Sequence, residues 1–118
     1  MIKMSSLIEK TANAKAAEAK ARVQNGYKTV LNILEDEIQG AEMLPGAILK
    51  LIVADVFGDE FFDALKDIGS DVLQVGTVSI WRSTTSRGII NAEGIRPGNI
   101  DEDWEDLIET IKVRAEMI

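Results

Sequence analysis

The chain has 118 residues, 46% hydrophobic and 28% charged, with a net charge of −7; this sets one domain, or one domain plus an arm, able to bury a real core. It contains no cysteine and no histidine, which excludes disulfides, thiolate metal sites and imidazole as general base, zinc ligand or pH switch. The acidic balance argues against a nucleic-acid partner. The longest uncharged run, ten residues from Val72 to Trp81, is too short to cross a bilayer. The start "MIKMSSLIEK" lacks the apolar run of a secretory leader, so the expected location is the cytoplasm of a cell or host.

Residues 6–24 read as a helix. Ser6 and Glu9 make a capping-box pattern, and "TANAKAAEAKARVQ" owes its helix propensity to alanine. Its large aliphatics are few, so alone it is marginal in water and needs a surface to lean on. Asn25-Gly26 is a break or a weak point within that helix. Beyond it Tyr27, Leu31, Leu34 and Ile38 repeat at helical spacing, with Gly40 as the stop. "MLPG" opens a new element with Pro45 in a first helical turn. The apolar run 47–57 favours a buried helix by its length, a central strand being the alternative.

"GDEFFDALKDIG" (58–69) is a clearer helix, closed by Gly69. "SDVLQVGTVSIWR" (70–82) reads as a strand with a bulge or close approach at Gly76, and "GIIN" (88–91) as its hairpin partner. "RPGN" (96–99) has Pro and Gly in type II turn positions. Asn99 then caps a last helix whose start carries Asp101, Glu102 and Asp103. Its apolar stripe is Trp104, Leu107, Ile108, Ile111, Ala115 and Ile118. The expected fold is α+β and mostly helical: an Ala-rich N-terminal helix, a helical core, one β-hairpin and a C-terminal amphipathic helix. Residues 1–40 form a helical arm or hairpin in an oligomer contact, and 41–118 form the body.

Charge is unevenly placed. Residues 1–34 carry +4, 35–71 carry −8, 72–100 carry +2 and 101–118 carry −5. A basic arm on an acidic body suits contact between copies. The interface residues expected are Ala14, Ala17, Ala21 and Arg22 on the arm, with Trp81 and Trp104 as core or interface side chains.

The chemistry-bearing stretch is "WRSTTSRG" (81–88). A four-residue turn at 83–86 would set Arg82 opposite Arg87, a like-charge pair that costs up to about 1 kcal/mol. Water and salt around an exposed turn would answer it, as would protein carboxylates. A phosphate would do so through both guanidinium forks, with Ser83, Thr84, Thr85, Ser86 and Arg96 as further ligands. Carboxylate is favoured over phosphate as a fixed counter-charge. Asp55, Asp59, Asp63 and Asp67 repeat every four residues and could group around a hard cation, against the plainer reading of a solvated face. No phosphate-binding glycine motif and no nucleophile–base pair is evident, so no catalytic residue, cofactor or metal is expected.

The expected function is therefore a non-catalytic, self-associating interaction or structural protein of a viral or cellular assembly, with itself as first partner. A binding module for a phosphorylated small molecule or nucleotide is the alternative. A carboxylate-metal hydrolase is a weaker one.

Overall fold

A computed structural model of the chain describes the backbone from Met4 to Ile118 and side chains from Ala14 onward. Helix α1 runs unbroken for 33 residues, Met4–Asp36. The Ser6/Glu9 capping pattern lies outside the described side chains. Asn25-Gly26 does not break the helix: Gly26 is buried where α1 packs against a neighbouring helix. A Cβ there would stand 2.8 Å from the Ala64 carbonyl oxygen and 3.0 Å from Ile68. From that point the apolar stripe turns inward, and Val30, Ile33 and Leu34 are buried. The exposed arm therefore ends near Gln24 rather than at residue 40, and α1 makes no helical hairpin.

The segment 40–57 corrects the sequence expectation. Gly40–Leu44 is strand β1 and Ile48–Ile52 is strand β2, antiparallel, with Leu44 opposite Ile48. Pro45 opens the three-residue connection instead of a helix; Gly46 and Ala47 complete it at φ +85° and +59°. The apolar run proved too mixed for one element. β2 takes its first half, paired on both sides, and Val53-Ala54 leads into helix α2, Asp55–Ile68. The end of α2 follows sequence logic. Gly69 adopts φ +104°, and the Ser70 N–H bonds to the Leu65 carbonyl at 3.1 Å, a Schellman closure.

Residues 70–82 divide at Gly76, which is a hairpin turn (φ +60°) and not a bulge. It joins β3 (Leu73–Val75) to β4 (Val78–Arg82). The expected partner of β4 is present as β5, Ile89–Glu93. The α+β class thus holds, and the hairpin β4/β5 is extended to five antiparallel strands in the order β1-β2-β5-β4-β3. Pro97–Asn99 form a 3-10 turn, with Asn99 N–H bonded to the Arg96 carbonyl at 3.0 Å, in place of a type II turn. Helix α3, Ile100–Glu116, follows. Asn99 makes no side-chain cap there. Asp103 instead reaches back to accept the Arg96 N–H at 2.8 Å.

The core lies between helices and sheet rather than among helices alone. Phe61 and Leu65 of α2, Ile33 of α1 and Ile111 of α3 join Leu49, Ile80, Ile90 and Ala92 of the strands. Alternation puts Leu49, Leu51, Ile80, Ile90 and Ala92 on the covered face. On the other face, Leu44, Ile48, Ile52, Ile89, Trp81, Lys50, Asn91 and Glu93 are all exposed or half-buried.

Candidate functional site

Arg82 shares the covered face of β4 with Val78 and Ile80, so its side chain runs inward beneath α2. Its guanidinium lies 4.5 Å from the centre of the Phe62 ring, a cation–π contact. One turn back along α2, Asp59 accepts from Arg82 Nη1 at 3.0 Å. Arg87 comes from the β4–β5 loop to the same carboxylate, its Nε donating at 3.1 Å to Oδ1 and its Nη2 to Oδ2. The two arginines do not oppose each other across a turn: Arg82 pairs with Ile90 and Ser83 N–H bonds to the Ile89 carbonyl. They converge on one aspartate from different elements.

This arrangement is a latch between loop and helix. Gly58 lets the Arg87 carbonyl come so close that a Cβ on residue 58 would lie 1.4 Å from its oxygen. The Val53 N–H bonds the Gly88 carbonyl at 2.9 Å, fixing the loop from the other side. Two of the four hydroxyls answer each other at the surface. Ser83 Oγ and Thr85 Oγ1 are 3.1 Å apart, and Ser83 Oγ accepts the Thr85 N–H. Thr84 is exposed and Ser86 half-buried. Arg96 is not part of this group. It sits beyond the opposite end of β5, where Asp103 accepts from its Nε at 3.1 Å and its Nη2 at 2.8 Å. A cavity of about 350 Å³ opens beside that pair, between the β3–β4 turn and α3.

The electrostatics follow from the pairing. Hydrogen bonding and charge from Arg87, then Arg82, hold the Asp59 carboxyl below its ordinary range, against the opposing effect of desolvation. Arg96 does the same to Asp103. A depressed folded-state value means that the unfolded chain takes up a proton first as pH falls. The stabilisation is complete above the ordinary aspartate pKa and is lost as pH drops through the depressed one. Asp59→Asn is therefore expected to lower stability at pH 7. The gap to the unmodified chain should narrow as pH falls through the ordinary aspartate range and close once the depressed value is passed. Urea midpoints across pH 2–7 measure it, and a gap that stays constant with pH would contradict the pairing.

Helix α2 is continuous through Gly58, so the four aspartates do lie on one helix, but Asp59 is held by the arginines. Among the described residues no group of three or more His, Cys, Asp or Glu side chains is placed to hold a metal ion. No helix among them is long and apolar enough to cross a membrane.

The expected interface residues fall on three separate surfaces. Ala14, Ala17, Ala21 and Arg22 lie on a stretch, 14–22, in which every residue is exposed. Trp81 is half-buried on the uncovered sheet face, opposite Asn91. Trp104 is half-buried beside Leu34 and Ile108 in a groove of about 490 Å³ between α1 and α3. Sequence reasoning missed Asp59 as the answering charge and Gly58 as the contact point. The signal for both was present: an isolated glycine inside a strong helical pattern, next to an acidic residue. No family model matches the chain, and no match is found among curated proteins or solved structures.

Proposed function

We propose that the protein is a non-catalytic, self-associating structural or interaction protein whose N-terminal helix joins one copy to another. The observation that carries this reading is the arm. Residues 14–22 are exposed throughout, yet they continue the same helix whose later turns carry buried Val30, Ile33 and Leu34. The molecule measures 67 × 26 × 22 Å with a radius of gyration of 17.5 Å, against about 13.5 Å for a compact domain of this length. An alanine-rich helix without tertiary support is marginal in water, and a second surface would supply that support. The latch at Arg82 and Arg87 already has its counter-charge in Asp59, so a phosphate there would have to displace a carboxylate held by three hydrogen bonds.

Light scattering and native mass spectrometry at moderate salt test the proposal. The full chain is expected to be an oligomer at micromolar concentration, and removal of residues 1–24 is expected to leave a folded monomer. A full-length chain that stays monomeric at high micromolar concentration defeats it.

A further inference from the structure

We propose, building on that self-association, that the arm of one copy seats along the α1/α3 groove and the outer face of α3 of a second copy, in a closed two-fold dimer. The receiving surface has an apolar floor, Leu34, Trp104 and Ile108, rimmed by Glu35, Glu105, Glu109 and Lys112; Lys112 already pairs with Glu35 at 3.1 Å, which leaves Glu105 and Glu109 as the rim's open charges. Farther along α3 the stripe Glu105, Glu109, Val113, Met117 advances four residues at a time, one face of a helix. Val113 is 47% and Met117 79% exposed, so apolar and acidic side chains, with Lys112 among them, lie open from Glu105 to the end of the helix.

The arm is its complement in three respects. Its charge is opposite: Lys15, Lys20 and Arg22 against Glu18 alone in the exposed stretch, facing an α3 segment of net −5. Its length is matched: residues 4–22 span about 28 Å and α3 about 25 Å. Its alanines allow the close axial approach that a shallow groove needs, bulk being supplied by Trp104, Val113 and Met117.

Chain direction makes the contact reciprocal. Within one protomer α1 and α3 run antiparallel. Gln24 donates to the Ala115 carbonyl near the root of the arm, while Leu34 meets Trp104 and Ile108 at the other end. A two-fold axis near residue 24 sets the partner's α1 antiparallel to this one, and so lays its arm parallel to α3. In that register Lys15 and Lys20 come level with Glu105 and Glu109, and Ala21 comes against Val113. The symmetry forms the contact twice and closes it, which gives a dimer and no filament.

The absence of cysteine gives a clean test in the full chain. Ala17→Cys protein is mixed with Glu109→Cys protein and oxidised; a disulfide between the two species is expected. Charge exchange provides the second arm of the test. Lys15→Glu with Lys20→Glu, or Glu105→Lys with Glu109→Lys, should each raise the dimer dissociation constant by on the order of tenfold, and all four together should restore it. Loss of the oligomer on removing residues 1–24, with neither the disulfide nor the restoration, would overturn the groove while leaving self-association standing. A disulfide from Ala17→Cys to Lys50→Cys, on the open sheet face, would overturn it likewise. A monomeric full chain overturns both.

Discussion

Gly58→Ala is expected to destabilise the protein by on the order of 3 kcal/mol, with a fall in melting temperature of roughly 10 °C or more. Intrinsic propensity has the opposite sign, since alanine is preferred to glycine inside a helix by about 1 kcal/mol. The close approach decides the outcome. A Cβ at residue 58 would stand 1.4 Å from the Arg87 carbonyl oxygen and 2.6 Å from its carbon. Both atoms are backbone, so no rotamer change relieves the overlap. The loop cannot easily withdraw either. At Gly88 a Cβ would meet the Val53 carbonyl at 2.7 Å, and the Val53 N–H holds the Gly88 carbonyl. Separating loop from helix would also pull Arg87 off Asp59. Gly98→Ala is the matched control, because nothing lies within 4 Å of its Cβ position. Thermal and urea unfolding of the two variants measure the difference, and a Gly58→Ala protein as stable as its parent would refute this packing.

The same residue shows why the site was only half legible in the sequence. The elements with one dominant signal were readable: α2 from its apolar face and Gly69, α3 from its acidic start and Leu107–Ile111 stripe, β4 and β5 from β-branched runs. Local chemistry points two ways between residues 43 and 57. Pro45 suits a first helical turn and a hairpin turn equally, and "AILKLIVADVF" suits a buried helix or a central strand. Partners far along the chain decide it: β2 is flanked by β1 and by β5, the latter some forty residues away. The arginine loop was legible as a charge in want of an answer. That Asp59 would supply it depends on how α2 crosses β4, which no local pattern encodes. The helix at 6–24 was legible from its alanine content, but the end of the exposed stretch was not: residues 14–22 are exposed while Val30, Ile33 and Leu34 of the same helix are buried, a boundary set by where α2 and α3 pack against α1.

Phe61→Ala is expected to cost about 3–5 kcal/mol, the range for emptying a large buried aromatic position. Phe61 is fully buried, and it shares one core with Val30 and Ile33 of α1 and with Ile80 and Ile90 of the sheet. A domain of this size has about 5–15 kcal/mol in all, so the loss is about a fifth of the total or more. Val56→Ala on the same helix removes a side chain that is 56% exposed and should change stability by no more than about 0.5 kcal/mol. Urea unfolding followed by circular dichroism compares the two. The consequence for assembly separates arm from body. Because the root of α1 is built into the core that Phe61 fills, Phe61→Ala should weaken association only in the range of denaturant where the body itself unfolds. Removing residues 1–24 should do the reverse, abolishing association while leaving the unfolding midpoint of the monomeric body nearly unchanged. If arm removal lowered that midpoint as much as Phe61→Ala does, the arm would belong to the core of its own protomer and not to a contact between copies.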